Sequence, residues 1–208
     1  VASGSYSHAE GNSTISRGEY SHTEGHLTST ATDASGSHAE GYNTSTSAKY
    51  AHSEGSASNA DGIASHAEGR ATITLGSYSH AEGAETVTVG ENSHAEGDST
   101  SASGSNTHAE GESTIAKGIG SHTEGYKTIT SGAYSHAEGS SSIAEGPYSH
   151  ASGRGTIAFG TSSHAEGMDT IASGSNSHAE GQQTIAFGSG THAEGKGTKA
   201  IGNYSHAE

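Results

Sequence analysis

Ser93-His94-Ala95-Glu96-Gly97 is the stretch on which the fold turns, because close copies of it return along the whole chain. The histidines that follow Ser, Thr or Ala stand at 8, 22, 38, 52, 66, 80 and onward to 206. Neighbours are 14 residues apart everywhere except between His22 and His38. One cassette is written fifteen times, and a repeat too short to bury its own face is stable only when stacked on its copies. The repeat therefore defines the architecture before any local pattern is read.

From its His each copy reads His-Ala-Glu-Gly-x-x-Thr-Ile-Ala-x-Gly-x-x-Ser, so two segments of about five residues alternate with two turns punctuated by Gly, Asn, Ser and Asp. Five residues cannot sustain a helix, whereas period-two alternation between turn residues marks short strands. Side chains alternate along a strand, which puts Ser93, Ala95 and Gly97 on one face and His94 and Glu96 on the other. Thr184, Ala186 and Gly188 likewise oppose Ile185 and Phe187. One face of each strand is always small. The pattern predicts an all-β, single-domain parallel β-roll or β-solenoid of 14-residue coils with two short strands each, spanning 1–208. Small residues fill it, and His, Glu and Ile project outward.

Composition agrees that no conventional core exists: the hydrophobic fraction is 28%, mostly Ala. Thirty-two glycines and a net charge of −15 would suggest disorder, but disorder needs no register, and this chain keeps one. There is no Cys, hence no disulfide or thiolate metal site, and no apolar run reaches the ~20 residues of a membrane span. With eight Lys and Arg, the chain lacks the basic footprint that nucleic acids or anionic membranes require. Val1 and Glu208 both fall inside a copy without a cap, which predicts a fragment of a longer fibre.

The frame is less regular over 22–64. That stretch holds the two-residue insertion, Ala48 in place of the second-turn Gly, and Ser29, Ser45 and Asn59 at successive Ile positions. An off-register His26 lies beside Leu27. Tolerance of a surface loop is the simpler explanation, and a local ligand or partner site the other.

Outward residues make their own demands. Ile73, Val87, Ile115, Ile129, Ile143, Ile157, Ile171 and Ile185 form a column, accompanied by Leu75, Val89, Phe159, Phe187 and Ile201. Monomers rarely expose such a stripe, and burying each Ile contributes roughly 1.5–3 kcal/mol, so self-association is expected. His recurs in all fifteen copies and Glu in fourteen, Ser152 being the exception, while turn positions drift. His66, His80, His94, His108, His136, His164 and His178 are accordingly assigned to the subunit interface with the Ile column. Glutamates stacked about 4.8 Å apart repel by about 0.9 kcal/mol per pair in water, and by ~3.5 at an effective dielectric of about 20. Protonated His is the simplest compensation; shared protons and bound cations are the alternatives. No cofactor is otherwise called for. If a divalent cation binds, the candidate ligands are His94, Glu96, His108, Glu110, His178 and Glu180.

Seven of the nine tyrosines (Tyr6, Tyr20, Tyr50, Tyr78, Tyr134, Tyr148 and Tyr204) precede the motif His by two positions. They are placed to stack along one edge, as packing or as a platform for a glycan or receptor. Catalysis is not expected. Ser93 and His94 point to opposite faces and cannot form a nucleophile–base pair within a copy, and the His-x-Glu of zinc deaminases needs a Cys pair. Flat ranks of Thr on an ice-binding face are not expected either, since Thr184 and its equivalents point inward.

The alternation of Ser-x-Ala-x-Gly with Thr-Ile-Ala-x-Gly over 14 residues resembles the head repeats of trimeric autotransporter adhesins, the YadA-like head family. SHAEG-type repeats are also similar to those of phage tail-fibre and prophage surface proteins. The resemblance covers essentially the whole chain. It implies a left-handed roll, a parallel homotrimer, display on a bacterial surface or alternatively a virion, and attachment to a host receptor or glycan. The implied role is a non-enzymatic adhesin head or shaft. The alternatives are a phage receptor-binding shaft and a metal- or pH-responsive assembly lined by His and Glu. Family heads carry apolar residues where this chain has His and Glu in the first strand.

Overall fold

The computed structural model describes residues 1–208 and contains β-strands and turns, with no helix. Two compact units, Val1–Asn106 and Thr107–Glu208, are each a parallel β-solenoid of the same coil. In a typical coil a five-residue strand, His80–Ala84, is followed by a turn, a two-residue strand, Val87–Thr88, and a second turn. The next coil begins at His94–Asp98. Pairing is parallel and in register: His80 lies opposite His94, Glu82 opposite Glu96, and Val87 opposite Ser101. Seven five-residue strands, from His8–Asn12 to His94–Asp98, stack in the first unit; in the second, six from His108–Glu112 to His178–Gln182 are followed by the two-residue His192–Ala193 and His206–Ala207.

The interior is built as the alternation predicts. Ala67, Ala81, Ala95, Ala165 and Ala179 have no solvent exposure, nor do Thr74, Thr88 and Thr184. Such a core gains little from apolar burial, so its polar groups have to be matched. One set is matched across the coil: Thr88 Oγ1 donates to Ser79 Oγ at 2.9 Å, and Ser79 Oγ donates to the Gly76 carbonyl at 2.7 Å. The same Ser-to-Gly bond closes the turn at Ser93 and Gly90, 2.6 Å, and at Ser177 and Gly174, 2.6 Å. A second set, the hydroxyls of Thr72, Thr86, Thr100, Thr114, Thr156 and Thr170, is buried without a partner. The residue two before each His takes the left-handed conformation, as at Asn92 (φ 54°) and Tyr78 (φ 58°).

Two details differ from the sequence reading. Gly97 does not share the inner face with Ser93 and Ala95; it is exposed, at φ +111°. There the chain departs from extended geometry, and successive backbones come so close that a Cβ on Gly83 would sit 2.1 Å from the Gly97 carbonyl oxygen. The second strand is two residues long, Ile185–Ala186, because the turns claim the residues on either side. Phe187 still donates its N–H to the next coil's Ala200 carbonyl at 2.9 Å, and Gly188 is buried as expected.

Over 22–64 the ladder is undisturbed. His22 pairs with His38 and Ser29 with Ser45, the extra Thr32 and Asp33 being absorbed in a turn where the Ala34 N–H donates to the Ala31 carbonyl at 3.2 Å. The polar residues in the Ile column support one another, since Ser45 Oγ donates to Asn59 Oδ1 at 2.7 Å.

Candidate functional site

The outward face of the long strands carries two parallel columns. Within each unit in-register pairing sets His against the His of the next coil. His8 meets His22 edge-on, and in the coils that follow the rings stack: 4.9 Å for His38 and His52, 4.7 Å for His52 and His66, 4.8 Å for His66 and His80. In the second unit the spacing is 4.8 Å for His108 and His122 and 4.8 Å for His164 and His178. The glutamates follow the same register two residues on, and each His Nε2 looks toward them. His66 Nε2 is 3.6 Å from Glu54 of the preceding coil and 3.5 Å from Glu68 of its own. His94 is 3.7 Å from Glu82 and 3.8 Å from Glu96. His178 is 3.9 Å from Glu180, which also lies 3.7 Å from His192. These are ion-pair separations, longer than a hydrogen bond.

Protonation follows from this crowding. Burial, and then the neighbouring rings, hold His38, His66, His136, His164 and His178 below the usual imidazole value, so the rings favour the neutral form. Hydrogen bonding to the carboxyls above and below, reinforced by burial, pushes Glu40, Glu68 and Glu124 up to about 7. The intervening Glu54 and Glu82 are held low by the same bonds. At these positions raised and lowered carboxyls alternate, an arrangement that relieves their mutual repulsion without a column of protonated imidazoles, the compensation that the sequence made simplest.

Every residue assigned from the sequence to an interface stands on the outside. Ile73, Val87, Ile115, Ile129, Ile143, Ile157, Ile171 and Ile185 are half-buried, as are His66, His80, His94, His108, His136, His164 and His178. Ile129, Ile143, Ile157, Ile171 and Ile185 pair in one unbroken ladder in the second unit. Exposed beside them are Phe159 and Phe187, with Leu75 and Val89 in the first unit. Among the candidate ligands, His108 is 3.4 Å from Glu110. Donors from a following coil join such pairs, as His178 joins His164 and Glu166, a grouping that the 14-residue spacing could have revealed. Tyrosines also stack within each unit: Tyr6 and Tyr20 at 5.0 Å in the first, Tyr134 and Tyr148 at 5.5 Å in the second. The rings of Tyr50, Tyr134 and Tyr204 lie over Gly36, Gly120 and Gly190 of the preceding coils.

The model of the YadA head domain repeat, in two copies, matches residues 95–121, 151–177 and 179–205. The chain carries YadA-like head repeats. Each match begins at the Ala that follows a motif His and runs over two successive coils, in step with the two copies of the repeat in the family model. Two of the three matched stretches lie in the second unit, where the Ile ladder of the YadA-like repeats is continuous. No curated protein matches the chain by sequence.

Proposed function

We propose that this chain is a segment of a bacterial surface fibre, the head or shaft of a trimeric adhesin, that acts by attachment and performs no catalysis. Three parallel copies pack side by side through the Ile column and the flanking histidines, and the fibre presents repeated weak contacts whose avidity grows with their number. The observation that carries this reading is the ladder of Ile129, Ile143, Ile157, Ile171 and Ile185, half-buried in one copy, with exposed Phe159 and Phe187 beside it. A partner has to repeat its apolar groups at the same strand-to-strand step over several coils, and another copy of this chain does so. The YadA-like repeats support the adhesin reading and the extracellular placement. The absence of catalysis is supported by Ser93, whose hydroxyl is buried and committed to the Gly90 carbonyl on the face opposite His94. Attachment targets would meet the exposed tyrosines, Tyr20 in the first unit and Tyr134 and Tyr148 in the second, surfaces suited to a glycan or a receptor protein.

Sedimentation equilibrium tests the assembly. The expected mass is three times the 20.6 kDa of one chain. Ile143→Asp with Ile157→Asp should shift the species toward monomer while the far-UV β-spectrum is kept. A wild-type chain that sediments as a monomer at tens of micromolar overturns the reading.

A further inference from the structure

His38, Glu40 and His52 bring one donor atom each within 4.8 Å of one another, and the same is true of His66, Glu68 and His80, of His108, Glu110 and His122, and of His164, Glu166 and His178. We propose that each of these triads binds a divalent transition-metal ion of the zinc type, through two imidazole nitrogens and one carboxylate oxygen of a single chain. Two imidazoles with one carboxylate form a donor set that suits zinc and its neighbours, whereas calcium and magnesium call for oxygen ligands throughout.

The His–Glu separations already fit, while the two imidazoles of each triad, stacked at 4.8–4.9 Å, have to tilt about their side-chain torsions to converge on one ion. Ligands about 2.1 Å from a tetrahedral ion lie about 3.4 Å from each other. The His Nε2 to Glu Oε2 separations are 3.4 Å for His108 and Glu110, 3.4 Å for His164 and Glu166, 3.5 Å for His66 and Glu68, and 3.6 Å for His38 and Glu40. These are too long for hydrogen bonds and near the spacing an ion between the two atoms would impose. The Nε2 atoms of His38, His52, His66, His80, His122, His164 and His178 are shielded from solvent and have no hydrogen-bond partner. Buried polar atoms ordinarily find one, and a metal satisfies all the nitrogens of a triad at once. Burial that disfavours imidazolium also leaves the Nε2 lone pair available for coordination. The four triads share no residue, so four ions can be held together, each with a position left for water. Because every ligand comes from one chain, the sites do not depend on trimer formation.

Zinc chloride titrated into the full chain, stripped with EDTA and exchanged into a non-coordinating buffer at pH 7.5, reads the sites calorimetrically. The expected result is at least four ions per chain, with magnesium giving no comparable heat. Cobalt(II) should develop the intense visible bands of a tetrahedral nitrogen–oxygen site. His66→Gln with His80→Gln should remove one of these equivalents. Combining His52→Gln, His80→Gln, His122→Gln and His178→Gln should weaken zinc binding at least tenfold at each of the four triads. If that variant loses its β-spectrum, the set Glu40→Gln, Glu68→Gln, Glu110→Gln and Glu166→Gln, which keeps the stacked rings, reads the same loss. Zinc binding unchanged in a folded variant, or no binding to wild type at 100 μM zinc, overturns the proposal. Sedimentation in EDTA reports on assembly separately, so failure of one reading is not failure of the other.

Discussion

The imidazole of His66 lies 4.8 Å from that of His80, with the two ring planes 1° from parallel. Rings held face to face at the strand step cannot all carry charge, because each imidazolium would meet two others along the column. Neutral stacked rings beside alternately raised and lowered carboxyls make the outer face of the long strands sensitive to pH in a defined direction.

In metal-free buffer the sign follows from the two sets of groups. Glu40, Glu68 and Glu124 have their folded values raised to about 7, so their contribution is full below the ordinary carboxyl range and is lost as pH rises through 7. The lowered Glu54 and Glu82 contribute above that range and are constant near neutrality. His38, His66 and the other histidines held low contribute fully only where the unfolded imidazole is neutral, and begin to lose that contribution below about pH 7.5. Between about pH 8.5 and 7.5 the carboxyls therefore act nearly alone, and below that the imidazoles oppose them. The melting temperature in EDTA should climb as pH falls from about 8.5 to 7.5, and should climb less in Glu68→Gln. A flat profile contradicts the raised carboxyl values.

Ser79 joins two layers of the interior, accepting from Thr88 and donating to Gly76. Ser79→Ala strands a buried hydroxyl and opens the turn, so it should cost about 1–3 kcal/mol in urea unfolding. Ser99→Ala, at an exposed hydroxyl bonded only to the neighbouring Asp98 Oδ1, should stay within about 0.5 kcal/mol.

Gly83 and Gly197 both have positive φ, +105° and +71°, but only Gly83 has a neighbouring backbone in the path of a Cβ. Gly197→Ala should cost about 1–2 kcal/mol, the ordinary penalty of a left-handed residue. Gly83→Ala has to separate two coils as well, and should cost more than ~3 kcal/mol or abolish folding, read by thermal denaturation.

Thr32 and Asp33 lengthen one turn while His22 and His38 stay paired. Deleting both restores a 14-residue coil and should change stability by less than about 1 kcal/mol. Deleting Thr32 and Ala95 instead removes the same number of residues but shifts Glu96 onto the inner face, and should unfold the local coils, seen as lost amide protection.

Much of this was legible in the sequence because small side chains recur with period two. Ser93 and Ala95, Thr184 and Ala186, and the outward Ile185 all stand where alternation places them. Gly97 does not, since a residue without a Cβ gives no sign of which way its backbone turns. The brevity of Ile185–Ala186 was hidden for a related reason: Thr and Gly serve equally in strands and in turns. The candidate ligands were found within single copies, but the donor completing each triad, such as His52 beside His38 and Glu40, comes from the next coil and follows from register. The protonation of the columns could not be read from residue types, because it depends on how closely the rings and carboxyls stack.

In-register pairing, with His80 opposite His94 and Val87 opposite Ser101, makes one copy interchangeable with another. Recombination between copies in the gene can remove or add a full cassette, and the rejoined ends meet the same ladder they left. Reach then becomes a heritable quantity adjustable in whole steps, with no new contact to be invented at either side of the splice.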